Sequence, residues 1–266
     1  MSSLRSRARG KSRCFTPLER PTGRLRINPN HFVASQAIRS ALVFNAGAGA
    51  AIDLNNRTTY DAFSGATWGT HGNQSLGDNE CFLSTASHTI GTTWSCMFRW
   101  RSLGTSPSFR YFVYCSAFNQ MSIRTQGDNV WSVASTGGNN SSIFDGNWHT
   151  VVVTNGAAST NLYFPDGNTL NASTSVVGVT DFLAVNGRDD STGRYTNGEM
   201  SHFLMVDEEW TAAEAWSLVD NANGWIAPDY STPIFTPPDV VVGGASIINQ
   251  FQRANMGADL YNGTIL

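Results

Sequence analysis

The chain has 266 residues, 41% of them hydrophobic and only 14% charged, with 25 glycines and a net charge of −3. That is enough apolar material for one large core, and low charge with many turn residues and β-branched runs favours an all-β protein. No stretch approaches the roughly 20 apolar residues of a membrane span, so no membrane partner is expected.

The charge is unevenly placed. Residues 1–26 carry eight basic groups and one acid, a balance of +7, whereas the other 240 residues balance at −10. Arg5, Arg7, Arg9, Lys11 and Arg13 head this segment, and Lys11 is the only lysine in the chain. A basic arm on an acidic body points to contact with a separate acidic surface. Arg serves this better than Lys, because its planar fork pairs with carboxylates through two hydrogen bonds. Residues 1–30, broken by Pro17, Pro21 and Pro29, are read as an extended N-terminal arm. They show no export signal. The four cysteines, Cys14, Cys81, Cys96 and Cys115, lack a CxxC spacing and are expected to be reduced.

The body is placed at 31–226. Residues 31–43 read as a short turn entering a first strand, and 45–56 as loop. In "TWSCMFRWR" (93–101), Trp94, Cys96, Phe98 and Trp100 alternate with Ser95, Met97, Arg99 and Arg101. That period of two predicts one face in the core and one toward water. "FRYFVYCS" (109–116) is apolar on both faces and reads as a central strand. Strands follow at 120–124, 129–134, 148–155, 161–168 and 180–188. The turn Pro165-Asp166-Gly167 ends the strand at 161–168. In the longer strand at 198–210, Met200, His202, Leu204 and Val206 alternate with Ser201, Phe203 and Met205. One helix is predicted after Thr211, with Thr211 and Glu214 spaced as a capping box, Ala215, Leu218 and Val219 as its apolar stripe, and Gly224 at its C-cap. Residues 227–266 open with a Pro-rich linker and continue as a C-terminal tail.

Four motifs in order carry a resemblance. "SALVFNAGAGAAIDLNNR" (40–57), "DGNWHTVVVT" (145–154), "NLYFPDGN" (161–168) and "VNGRDDSTGRYTNGEMSHFLMVDEEWTAAEAWSLV" (185–219) are similar to successive segments of concanavalin A-like, laminin-G-like jelly-roll domains. The resemblance covers about residues 40–225. It implies an all-β, two-sheet antiparallel jelly-roll sandwich with one short C-terminal helix, carrying extended arms at both ends. The arrangement of an Arg-rich start, "GRLRINPNH" and then the sandwich also resembles structural proteins of tailed bacteriophages.

Function is weighed on the acids and histidines. His149 stands alone in its strand and reads as a fold feature. The six glutamates, Glu19, Glu80, Glu199, Glu208, Glu209 and Glu214, show none of the alternate spacing that places paired carboxylates on one strand face. No Gly-x-Ser-x-Gly turn is present. The expectation is therefore no catalytic residue, no enzyme activity and no cofactor. Related domains often hold Ca²⁺ in loops, for which Asp145, Asp166, Asp189 and Asp190 are the candidates, each also an ordinary turn residue. Tyr163 and Tyr195 are candidates for stacking on sugars. The expected role is a phage virion structural protein that decorates or cements the capsid. Its partners would be the major capsid protein or another virion protein and further copies of itself, and its location the virion, assembled in the host cytoplasm. Packaged nucleic acid ranks below these. The alternative is a lectin-like module of a tail or head fibre that binds a host-surface glycan or receptor.

Overall fold

A computed structural model of the chain describes residues 25–229, apart from 45–49, 57, 70–71, 78–79, 105–108, 116–122, 127–128, 133–137, 140, 158, 173–178 and 190–195, together with 241–242 and 245–246. Arg5, Arg7, Arg9, Lys11 and Arg13 lie outside the described residues, as do Tyr195 and Asp190.

Two eight-stranded antiparallel sheets stack face to face. The first runs, in spatial order, Gly138–Asn139, Asn129–Ser132, Ile123–Gln126, Phe109–Cys115, Leu183–Val185, Cys81–Ser84, Thr59–Phe63 and Ala51–Ile52. The second runs Thr169–Ala172, Thr160–Tyr163, His149–Asn155, Trp94–Ser102, Gly198–Val206, Asn73–Ser75 and Thr67–Trp68, with Ile38–Val43 also paired to Gly198–Val206. The all-β, two-sheet sandwich with one short helix expected from the sequence is the architecture found.

The alternation in Trp94–Ser102 is realised on its core side. Trp94, Cys96, Phe98 and Trp100 all lie in the cluster between the sheets. Phe98 stacks on Phe112 of the facing sheet at 4.6 Å, and Trp100 meets the same ring edge-on at 5.0 Å. Aromatic pairs of this kind add about 0.5–1.5 kcal/mol beyond the area they bury.

The other face does not meet water as expected. Met97, Val152, Leu204 and Val206 form a second cluster with Leu218, Trp225 and Val33, so a third layer covers part of the second sheet. That layer comprises the helix Ala212–Asp220, the 3-10 turn Phe32–Ser35 and a short ladder of Leu25–Ile27 with Ile226–Pro228. Leu25–Ile27 comes from the segment read as the arm, and Ile226–Pro228 spans the junction of body and linker.

The helix begins at its predicted cap. The Thr211 Oγ1 accepts from the Glu214 N–H at 3.3 Å, and the Glu214 carboxylate accepts from the Thr211 N–H at 2.8 Å. Ala215 and Leu218 bury the stripe that docks the helix, which is too short to be stable alone. Its C-cap is Asn221 and not Gly224. Gly224 closes the following turn, its N–H donating to the Asn221 carbonyl at 3.0 Å.

Two strands depart from their predicted course. In Gly198–Val206 the register against Trp94–Ser102 shifts between Met200 and His202. A bulge at Ser201 reverses the alternation, so Met200 shares the inter-sheet face with Phe203 and Met205, while Leu204 and Val206 face the third layer. The predicted strand 180–188 divides at Phe182, which is 44% exposed. Val179–Asp181 pairs with His88–Ile90, and Leu183–Val185 joins the first sheet. Cys81, Cys96 and Cys115 are buried free thiols.

Candidate ligand-binding site

The uncovered end of the second sheet's outer face carries charge. Arg99 and Arg101 alternate on their strand, and Glu199 stands opposite Arg101 across the ladder. The Arg101 Nε donates to the Glu199 carboxylate at 2.8 Å, and Nη2 lies 2.6 Å from the same oxygen. Glu199 is fully buried, so this pair neutralises a carboxylate that has left water. Arg99 is different. Its guanidinium is half-buried, and among the described residues no carboxylate pairs with it. Burial pulls its pKa below the usual arginine range.

Trp148 lies across both arginines, with its ring centroid 5.6 Å from the Arg99 guanidinium and 5.1 Å from that of Arg101. The turn before it sets its position. Asp145 accepts from the Asn147 N–H at 2.8 Å, and Gly146 supplies the left-handed residue at φ +84°. The His149 Nε2 sits 2.6 Å from the Asp145 carboxylate. Burial is the largest single influence and raises the pKa of that carboxyl, but the hydrogen bonds from His149 and Asn147 and the charge of His149 together outweigh it and hold the carboxyl down to about 2. His149 thus ties the start of its strand to the turn before it. The result is a guanidinium without a counter-ion among the described residues, set against an indole, with Thr150 opposite Arg99 in the ladder. Such a group accepts a planar oxyanion through two parallel hydrogen bonds.

The other candidates are dispersed. Asp166 accepts from the Asn168 N–H at 3.1 Å, an ordinary turn contact, and Glu208 accepts from the Ala37 N–H at 3.0 Å. Among the described residues no group of three or more His, Cys, Asp or Glu side chains could hold a metal ion. Tyr163 is 6% exposed, edge-on to Trp216 at 5.3 Å. Asp53, from the Asp-Leu of the first motif, is fully buried and accepts from the backbone N–H of Ala41 and of Asn55. Nearby, the Tyr60 hydroxyl donates to Ser40 at 2.9 Å and meets the His88 Nε2 at 3.1 Å. This polar chain ties strands together inside the fold. The sequence did not single out Arg99 and Trp148. Their only local signal is a tryptophan following a Asp-Gly-Asn turn beside a strand with two arginines two residues apart.

No family model matches the chain, and no curated protein matches it. Solved structures do. Trypanosoma rangeli sialidase in complex with sialic acid superposes with a TM-score of 0.55 and 9% identity, covering 69% of this chain and 32% of that one. The same sialidase with 2,3-difluorosialic acid gives 0.57 and 10%, covering 78% and 36%. The botulinum neurotoxin type G receptor-binding domain gives 0.51 and 13%, covering 68% and 50%. The chain therefore spans about a third of the sialidases' length and half of the toxin domain's.

The expectation that the chain is no enzyme is overturned here, because its fold is shared with chains of sialidases, which are enzymes. A pair of carboxylates at alternate strand positions is too narrow a criterion. It describes most glycosidases, whereas sialidases use a tyrosine nucleophile. At these identities the likeness establishes the fold: the chain is a β-sandwich of the kind found in sialidases and in a toxin receptor-binding domain.

Proposed function

We propose that the chain is a structural protein of a tailed-phage virion, a decoration or cement protein whose sandwich faces outward and whose terminal segments attach to the shell. One observation carries the reading. Leu25 pairs directly with Pro228, and Ile27 with Ile226, so the N- and C-terminal segments leave the body side by side. Paired strands lie about 5 Å apart, so one attachment surface serves both segments. The first of them holds the +7 excess, and the body is acidic. The partner of this reading is an acidic face of the major capsid protein or of another virion protein.

Changing Arg5, Arg7, Arg9, Lys11 and Arg13 together to Ser is expected to lower occupancy on purified particles about tenfold. Five exposed ion pairs at a few tenths of a kcal/mol each give that figure. Raised salt should strip the native protein in the same way, while the melting temperature of the isolated protein stays unchanged. Equal occupancy of variant and native protein on particles would overturn the attachment reading.

A second reading, a glycan- or receptor-binding module of a fibre, is favoured by the unpaired Arg99. The sialidase above is in complex with sialic acid, a sugar that carries a carboxylate. In this reading Arg99 holds the carboxylate of an acidic sugar and Trp148 backs it. Arg99→Gln is expected to weaken binding of sialyllactose about 10–100-fold, the value of a charge-assisted hydrogen bond to a carboxylate. Calorimetry against lactose as the neutral control measures this. No preference for sialyllactose over lactose in the native protein would refute it.

A further inference from the structure

A second opening lies on the same sheet, where the N-terminal end of the helix meets the strands His149–Asn155 and Thr160–Tyr163. It is a groove of about 400 Å³ lined by Thr154, Asn161, Tyr163, Glu209, Trp210 and Thr211. Two of its walls are fixed. The Trp210 Nε1 donates to the Gln36 side chain at 2.6 Å and its backbone N–H to Ser95 Oγ at 2.9 Å. Tyr163 is braced by Trp216.

Three polar side chains of the groove, those of Thr154, Glu209 and Asn161, keep bonding capacity. Thr154 is 1% exposed, and its Oγ1 has no hydrogen-bond partner. Buried hydroxyls are almost always satisfied, and this one belongs to a residue that lines the groove. The Glu209 carboxylate makes no hydrogen bond or ion pair among the described residues. Asn161 uses its Oδ1 to accept from Asn171 at 2.6 Å, which leaves its amide N–H groups as donors. Gly156 makes room for this arrangement: a Cβ there would fall 2.0 Å from the Glu209 carboxylate.

We propose that this groove is a binding site for a neutral saccharide ring, with Glu209 accepting from a pair of adjacent ring hydroxyls, Thr154 and Asn161 bonding a third, and Tyr163 as the apolar wall. An acceptor, a donor and a hydroxyl of either role around an aromatic wall match the alternating donors and acceptors of a sugar. The groove offers no cation for an acidic ligand and only one carboxylate for a metal ion. The site deepens the glycan-binding reading but stands on residues separate from Arg99 and Trp148.

Saturation-transfer NMR and calorimetry with methyl β-galactopyranoside and methyl α-mannopyranoside test it on the full chain. At least one glycoside is expected to bind in the millimolar range, as suits a ligand of this size. Glu209→Gln should weaken that binding about tenfold with the melting temperature unchanged, since the carboxylate has no partner to lose. Thr154→Val should weaken it several-fold while raising the melting temperature, because the orphan hydroxyl is removed at nearly constant volume. Gly156→Ala should weaken it by displacing Glu209. Arg99→Gln should leave neutral-sugar binding intact, which separates failure of the groove from failure of the acidic-sugar patch. Saturation transfer to neither glycoside, or native affinity in both Glu209→Gln and Thr154→Val, overturns the proposal.

Discussion

Gly187→Ala is expected to leave the protein unfolded or nearly so at 37 °C. Gly187 follows the strand Leu183–Val185 and has φ +152°, a backbone conformation that residues with a Cβ rarely adopt. Space is the larger obstacle. A Cβ there would sit 1.8 Å from the Glu80 carbonyl oxygen and 2.9 Å from its carbon. Both are backbone atoms at the head of the strand Cys81–Ser84, which pairs with Leu183–Val185, so neither partner can rotate away. The neighbour Asn186 is itself left-handed at φ 58° and fully buried, and its Nδ2 donates to the Asn73 side chain at 2.9 Å. Asn73 belongs to the other sheet, so Asn186 bridges the two layers where Gly187 forces a close approach. Shifting the backbone by more than 1 Å would break this bridge and the ladder beside it. A loss of about 4 kcal/mol or more follows, a large part of the roughly 5–15 kcal/mol that holds a domain together. Gly167→Ala is the control. It has φ +83° with nothing within 4 Å of its Cβ position, so only the local strain of about 1–2 kcal/mol applies. Urea unfolding of the two variants should separate by at least 2 kcal/mol; equal midpoints would refute the steric argument.

The contrast between these glycines shows how far local pattern reaches. Alternation in Trp94–Ser102 places Trp94, Cys96, Phe98 and Trp100 correctly, because a strand's period depends on nothing outside it. The capping box of Thr211 and Glu214 is legible for the same reason. The bulge at Ser201 is not, since it exists only against a partner strand about a hundred residues earlier, and it reverses the alternation of Met200. Nor is the third layer: Met97 looks solvent-facing until the helix and the Leu25–Ile27 ladder cover it. The candidate sites obey the same division. Arg99 and Arg101 are read correctly as lying on the face away from the core. That Arg101 has a carboxylate 98 residues away and Arg99 has none among the described residues follows from register. Thr154 and Glu209 share a groove only because the helix docks where it does.

Acid is expected to destabilise the fold well above the range in which carboxylates titrate, and His202 is the main cause. The ring is fully buried in the bulged strand, with Nδ1 2.8 Å from the Ser201 hydroxyl and Trp225 edge-on at 6.4 Å. Burial, and then the nearby Arg99 guanidinium, push its pKa down to about 3, against a smaller opposing effect of Asn223. The unfolded chain takes up this proton near pH 6.5. Between pH 6.5 and about 3 the unfolded state therefore binds more protons than the folded one, and stability falls as pH falls. The slope from this residue approaches 1.4 kcal/mol per pH unit. His88 and His31 are lowered in the same direction, chiefly by burial, and steepen the loss below pH 6.5. Asp53 acts oppositely. Burial raises its pKa, so between its unfolded value and that raised value protonation favours the fold and offsets part of the loss at the acid end. Above pH 7 none of the three histidines contributes a slope. The test is urea unfolding from pH 7.5 to 4.5 in the native protein and in His202→Gln, which keeps a polar group at the site but cannot titrate. The native protein should lose stability across this range, and the variant should show a slope smaller by about 1 kcal/mol per pH unit between pH 6 and 4.5. Parallel slopes would mean that His202 is protonated inside the fold, and would remove the assignment of acid sensitivity to its burial beside Arg99.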